Sequence, residues 1–483
     1  MTTTQATAGN PAQAAGPAGT TGTDGLWSPQ RRALTLGLVL TITFVASEAL
    51  AVVTIMPLVA HDLHGISLYG WVFSAFMLGS VIGIVAAGRQ ADRFGPARPF
   101  LAGLILFCAG LTIAGLAPTM LVLVAGRTLQ GIGAGAVPAV AYVAIGRSLP
   151  ERLRARMMAF MSTAWVIPGL VGPAVSAAVA SLAGWRWVFL GLLPLVAVTG
   201  SLALPALFRL GRQPASGQPA PAADRGEHRL TDGVAAAAGT GMILAGLSLA
   251  AGSGRILAAV ALLLPGLAAV SLSLRRLLPA GTFKARPGLP VVILCRSLLT
   301  FSFFGADAYV TLTIATVRHH TPALASVAVT GATLAWTAGA WLQSRLNGRW
   351  PAPKIIGWAV LLIMTGLAAM AAVLLPQTPV EIGLAAWTVA GFGMGLAYAP
   401  ISLLMLREAP AGREGWASAS LSLADVLGTA FGIGAGGAAV AAAAGRGWPL
   451  SAGVGIAFAI AASGAVALAL VIRRLPAGID SVS

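Results

Sequence analysis

Arg127-Thr128-Leu129-Gln130-Gly131-Ile132-Gly133-Ala134-Gly135 decides how this chain is read. It lies within an apolar run from Met120 to Ile145, long enough to cross a hydrocarbon core of ~30 Å as a helix. A guanidinium at that depth costs several kcal/mol unless it is paired or hydrated. Such a residue needs a reason, and the usual ones are an ion path, a proton relay or a substrate site.

The rest of the chain fits a membrane setting. Of its 483 residues 57% are hydrophobic and 9% charged, with a mean hydropathy of +0.86. A soluble protein of this size cannot hide so much apolar surface. The apolar runs are continuous and do not alternate, so they read as helices and not as barrel strands. The net charge of +16 invites a nucleic-acid reading, but the basic residues cluster at the ends of apolar runs, not on one face of a soluble domain. Cys108 and Cys295 each fall inside a span and imply neither a disulfide nor a metal framework. Residues 1–30 read as a disordered cytoplasmic tail without a cleavable signal.

Spans are expected near 33–57, 70–88, 99–117, 119–145, 157–183 and 187–208, then 233–251 and 255–274, then 288–314, 322–343, 354–375, 380–406, 416–443 and 448–472. That makes fourteen; without the Ala/Gly/Leu-rich pair at 233–274 twelve remain, with the same orientation. The expected division is an N-terminal six-helix bundle at 31–208 and a linker with two additional helices at 209–287. A C-terminal six-helix bundle follows at 288–474, then a cytoplasmic tail at 475–483. With the N-terminus in the cytoplasm, only Arg186, Arg255, Arg318 and Arg446 among the 30 basic residues fall outside, and only Arg127 and Arg296 within spans. That asymmetry predicts that both termini lie in the cytoplasm, and the expected location is the plasma membrane.

The chain repeats itself. Gly131, Gly133 and Gly135 recur as Gly391, Gly393 and Gly395, 260 residues on; Gly172 recurs as Gly432 at the same offset, and Glu48 is followed after 259 residues by Asp307. In a chain with 60 glycines one match is open to chance. Three landmarks at one spacing predict two parallel six-helix halves. Trp387 then stands where Arg127 stands in the first half.

Between the second and third spans runs Gly88-Arg89-Gln90-Ala91-Asp92-Arg93-Phe94-Gly95-Pro96-Ala97-Arg98. Gly88 permits close helix approach and Gly95 a tight turn. Asp92, Arg93 and Arg98 form a charge cluster that a conformational change can make and break; the plainer reading is an ordinary positive loop. This stretch resembles the G-x-x-x-D-R-x-G-x-x-[RK] signature of the major facilitator superfamily, with Pro96 and Ala97 where a basic residue is usual. The Arg127 run resembles that family's fourth-helix motif: Arg127, Gly131, Gly133 and Gly135 match position by position, with Gln130 as a common addition. Pro168-Gly169-Leu170-Val171-Gly172-Pro173 resembles the fifth-helix motif of its antiporters, where a Gly-Pro pair bends the helix and small residues let it slide. The motif's closing glycines are absent; Ser176 and Ala177 stand there. Trp185-Arg186-Trp187-Val188-Phe189 resembles the aromatic lead-in to the sixth helix of the fourteen-helix drug:proton antiporters. In the second half the loop signature is degenerate, with Ser344 and Arg345 where Asp92 and Arg93 stand.

Glu48, Asp307 and Asp425 are acids within spans. A carboxylate in hydrocarbon binds and releases a proton as its hydration changes. From the outer ends of their spans Glu48, Arg127 and Asp307 lie roughly 14, 12 and 10 Å deep, one shared layer. The resemblance implies that the first and fourth helices of each half line the cavity, so a Glu48–Arg127 contact is expected; a purely structural pair is the alternative. For Asp307, a structural role or contact with a substrate cation competes evenly with proton transfer. Asp425 and Arg296, in the inner half, are expected to form a static pair. Trp165, Tyr309, Trp336, Trp387 and Tyr398 are cavity candidates, since aromatic walls suit flat lipophilic molecules and hold cations; belt anchors are the alternative. His61, His64, His319 and His320 read as exposed loop residues.

No nucleotide loop, metal-ligand spacing or nucleophile–base pair is present, so the chain reads as a non-enzyme without a cofactor, driven by a proton gradient. The resemblance implies a proton-coupled exporter of lipophilic drugs or antibiotics, cations among them, acting as a monomer with protons and membrane lipid as its other partners. A transporter of metabolites, lipids or siderophores, and a non-transporting receptor or scaffold, remain as alternatives.

Overall fold

The computed structural model describes residues 26–476, apart from 29–30, 150–152, 154–156, 158–159, 161–163, 165, 212–223, 253–254, 348 and 411–412. Its long helices are α1 (Arg32–Asp62), α2 (Tyr69–Phe94), α3 (Ala97–Gly115), α4 (Met120–Ser148), α5 (Val166–Ala183), α6 (Leu192–Gly211), α7 (Asp224–Gly252), α8 (Ile256–Leu277), α9 (Leu289–Leu312), α10 (Pro322–Leu346), α11 (Ala352–Ala372), α12 (Val380–Glu408), α13 (Glu414–Gly445) and α14 (Leu450–Val471). Among the described residues, fourteen segments are long and apolar enough to cross a membrane, including Leu230–Ala251 and Ile256–Leu277 in the region whose spans the sequence left open. An even number of crossings puts Arg32 and Arg474 on one face, the terminal face; the other is the distal face.

Local chemistry sets the helix ends. Thr119 and Thr321 accept from the backbone N–H of Val122 and Leu324, capping α4 and α10. Prolines occupy the first turn of α9, α10 and α11, where a missing N–H costs nothing. Gly95 ends α2 with φ 80°, a conformation open to glycine at little cost.

The pairings repeat between halves. In the first, α4 packs on α2 and α3, and α1 on α5 and α6; in the second, α12 packs on α10 and α11, and α9 on α13 and α14. Glycines carry the repeat at atomic level. A Cβ on Gly131 or Gly135 would run into the backbone carbonyls of Phe76 or Ser80 on α2; on Gly391 or Gly395, into those of Ala332 or Trp336 on α10. Lipid gives no hydrophobic drive between helices, so such close backbone approach is what holds them together. Gly88 and Gly172 behave otherwise: both face open space, so Gly88 does not make the close approach expected of it. Gly432, the counterpart of Gly172, is pressed against Phe301 and Gly305. In α2 the close-packed glycines are instead Gly79 and Gly83, against α4.

The halves meet along α2–α13 and α5–α10, two contacts that the repeat exchanges. The additional α7 lies over the first of these seams, touching both α2 and α13, and α8 packs on α7. Toward the distal face the halves are bonded directly. Tyr69 donates to the Ala308 carbonyl (2.9 Å), Ser74 to that of Ala430 (3.1 Å) and Thr311 to that of Val53 (2.8 Å). One apolar core unites distal parts of the first half with the second half. A separate core, with Leu38, Ala91, Phe100 and Val140, holds only first-half residues near the terminal face. Among the described residues the bundles are therefore fused distally and not joined by core packing at the terminal face.

Candidate coupling and substrate sites

Glu48 on α1 and Arg127 on α4 form an ion pair, each about 98–99% buried. Arg127 is fixed on every side. Its Nη1 donates to Glu48 Oε1 and to Gln130 Oε1 (2.8 Å), its Nε donates to the Val72 carbonyl (3.3 Å), and its guanidinium lies 4.2 Å from the Phe76 ring centroid. Gln130 is three residues on, on the same helix face. Gly131 lets α4 approach α2 closely enough for Val72 and Phe76 to take part. Two polar atoms of this buried group have no partner: Glu48 Oε2 and Gln130 Nε2.

The second half builds the repeat-related contact with different chemistry. Trp387 Nε1 donates to Asp307 Oδ1 (2.8 Å). Trp387 is fully buried and Asp307 is half-buried. The indole stacks on Phe303 (centroids 5.1 Å apart, planes at 16°), Trp336 meets Phe303 edge-on at 5.8 Å, and Tyr398 lies 5.4 Å from Trp336. The ladder ends at Arg296, whose guanidinium lies 3.5 Å from the Tyr398 centroid. Arg296 Nη2 donates to the Tyr398 carbonyl (3.1 Å) and to Ser402 Oγ. The Tyr398 hydroxyl donates to Asp425 Oδ2 (2.8 Å). The expected direct pair of Arg296 and Asp425 is thus replaced by a link through Tyr398. Arg296 Nε and Nη1 and Asp425 Oδ1 have no partner.

The other sequence candidates fall in three places. Tyr309 is fully buried in the distal seam, its ring 5.8 Å from that of Tyr69 and its hydroxyl donating to the Ile433 carbonyl. Arg93 and Arg98 are exposed and flank the Phe94 ring at 5.1 and 5.8 Å; the side chain of Asp92 and the whole of Trp165 lie outside the described residues. Pro168 and Pro173 lie in α5, and a Cβ on Gly169 would meet Thr333 of α10 at the second inter-bundle seam. At the distal face Trp185 donates to Asp62 (2.9 Å) and carries Arg186 over its ring.

Sequence reasoning did not single out Phe76, Phe303, Ser402 or Tyr69. The repeat held a signal for one contact: offsets of 259 and 260 carry the Glu48–Arg127 pair onto Asp307–Trp387.

Two repeated helical bundles around ionisable groups buried at mid-span define a membrane transporter. Residues 34–433 match the Major Facilitator Superfamily, and the chain belongs to it. It is a multi-pass secondary transporter of small molecules, not an enzyme. A Mycobacterium tuberculosis protein described as a probable multidrug-efflux transporter is 28% identical over 397 residues, covering 81% of this chain and 84% of the relative. An uncharacterized transporter of Escherichia coli is 28% identical over 422 residues, covering 85% and 89%. A Bacillus subtilis multidrug transporter is 31% identical over 160 residues, covering 33% and 30%. Among solved structures, an auto-inhibited peptide transporter of the POT family has a TM-score of 0.63 at 16% identity, covering 92% of this chain and 98% of that one. A D-xylose–proton symporter has a TM-score of 0.62 at 17% identity, with the same coverage. These show the fold.

Proposed function

We propose that this chain exports lipophilic drugs or antibiotics in exchange for protons across the plasma membrane, with Glu48 as the proton carrier and Asp307 as the receiver of a cationic substrate group. The observation that carries it is the buried Glu48–Arg127 pair. Glu48 Oε2 has no hydrogen-bond partner, while Oε1 is held by Arg127. A proton arriving on Oε2 neutralises the carboxylate and removes most of its attraction for Arg127; Gln130 and the Val72 carbonyl then retain the guanidinium. The pair thereby reports protonation as a change in α1–α4 attachment, which is what coupling needs.

Asp307 differs from Glu48 in two respects that suit a substrate contact. Its partner is a neutral indole, so its charge is not cancelled, and it is half-buried where Glu48 is sealed. The wall of Phe304, Trp336 and Tyr398, all half-buried, supplies flat apolar surface beside it. With the termini in the cytoplasm, as the arginine asymmetry supports, the distally sealed bundles face inward. The division at 31–208, 209–287 and 288–474 follows the same reading, with α7 as a strut across the moving seam. The relatives described as multidrug transporters agree with this substrate class. A susceptibility panel in a pump-deficient host tests it. Wild type is expected to raise tolerance to several lipophilic cations and Glu48→Gln to none; no tolerance from wild type at any compound would overturn the drug reading.

A further inference from the structure

The second half carries a polar cluster that the coupling scheme leaves unused, and its position is not random. Arg296 and Asp307 are eleven residues apart on α9, and so are Tyr398 and Trp387 on α12. Eleven residues make about three full turns, so each pair shares one face of its helix, about 16 Å apart along the axis. The helices run antiparallel, which brings Trp387 to Asp307 at one level and Tyr398 to Arg296 at the other. Phe303, Trp336 and Tyr398 fill the interval as one aromatic wall.

The two ends differ in chemistry. At Asp307 a carboxyl group faces a neutral indole, with no cation paired to it among the described residues. At the other end Arg296 and Asp425 cancel in charge, but their hydrogen bonding is incomplete. Arg296 keeps Nε and Nη1 unmatched, and Asp425 keeps Oδ1 unmatched, while their remaining atoms are held by Tyr398 and Ser402. Unmatched buried donors and acceptors of this kind are costly to leave unpaired, so a group that satisfies both is bound preferentially. A second carboxylate is disfavoured by Asp425 and a second cation by Arg296. The complement is a neutral group that carries both an acceptor and a donor. Tyr398, Ser402 and Asp425 are half-buried, so the cluster borders open space, while Arg296 and the unmatched atoms expose almost no surface and are reached only when these side chains turn.

We infer that Arg296 and Asp425 form a specificity subsite for a carboxamide-type group, so that the favoured substrate is an elongated aromatic amine with its cation at Asp307 and its amide at Arg296–Asp425. The amide carbonyl accepts from Arg296, and its N–H donates to Asp425 Oδ1. This rests on the reading of Asp307 as the cation receiver.

The test is equilibrium binding to the purified full chain of two matched probes, a tertiary aromatic amine with a primary carboxamide at its far end and the same amine with an isopropyl group there. Two hydrogen bonds predict a preference of about tenfold or more for the carboxamide in wild type. Arg296→Gln and Asp425→Asn are expected to bring that ratio close to one while the isopropyl probe binds as before. Asp425→Asn keeps an acceptor for Tyr398, so it decides the matter if Arg296→Gln does not fold. Equal binding of the two probes to wild type, or an unchanged ratio in Asp425→Asn, overturns the subsite and leaves the Asp307 reading standing. If neither probe binds wild type, or Asp307→Asn leaves both affinities unchanged, the Asp307 reading falls and the subsite with it.

Discussion

Trp387 donates its indole N–H to Asp307 at the repeat position where Arg127 donates to Glu48. One half thus closes the contact with a cation and the other with a neutral ring. The pseudo-symmetric scaffold keeps the geometry and changes the electrostatics, so the same layer of the membrane holds a compensated acid and an uncompensated one. On the proposed reading, the proton goes to the first half and the substrate's charge to the second.

Asp307→Asn removes the uncompensated charge but keeps an acceptor for Trp387. Binding of monocationic substrates is expected to weaken roughly ten- to hundredfold, the worth of a hydrogen bond to a charged group, with neutral lipophilic substrates little changed. Trp387→Phe keeps the stack on Phe303 and loses only one hydrogen bond, for a cost of about 1 kcal/mol. Competition binding with a fluorescent cation separates the two. Equal losses for cationic and neutral ligands would count against the assignment.

Arg127→Leu leaves Glu48 buried without its cation. Breaking a buried pair from one side costs about 3–5 kcal/mol, so the variant should melt well below wild type in detergent. Replacing both partners, Glu48→Gln with Arg127→Gln, should recover much of that stability without recovering transport. If the double variant transports, the pair is structural only.

Much of this was legible in the chain. Continuous apolar runs gave fourteen spans, and the recurrence of Gly131, Gly133 and Gly135 as Gly391, Gly393 and Gly395 gave the two halves. The contact of Glu48 with Arg127 was expected from their shared layer together with the family resemblance that puts the first and fourth helices at the cavity. What the sequence withheld was rotation about each helix axis. Lipid tails and helix interfaces are equally apolar, so composition does not say which side of a span faces a neighbour. That is why Gly88 could be taken for a close-approach glycine when it faces open space, and why Tyr309 could be taken for a cavity residue when it lies in the distal seam. The Tyr398 bridge between Arg296 and Asp425 had no signal, because it joins three helices at unrelated sequence positions.

The two kinds of glycine give opposite predictions. Gly131→Ala or Gly135→Ala drives a methyl into a backbone carbonyl of α2, forcing the helices apart at a cost of about 1–3 kcal/mol or more. Gly88→Ala and Gly172→Ala add a methyl to open space in a helix and should be neutral or stabilising by up to about 1 kcal/mol. Folded yield by fluorescence-detected size exclusion distinguishes them.

The distal seal can be locked. The Ser74 hydroxyl of α2 donates to the backbone carbonyl of Ala430 on α13 at 3.1 Å. With Cys108 and Cys295 replaced by alanine, Ser74→Cys with Ala430→Cys is expected to cross-link under oxidant and stop transport, with recovery on reduction. Full transport in the cross-linked state would mean that this seam does not open during the cycle.

The central claim is that Glu48 carries the coupled proton, and substrate flux in reconstituted vesicles under an imposed pH gradient tests it most directly. Wild type should accumulate substrate against its gradient when protons can flow the other way. Glu48→Gln should bind substrate and equilibrate it downhill yet fail to accumulate it at any pH difference. Full gradient-driven accumulation by Glu48→Gln would contradict the account.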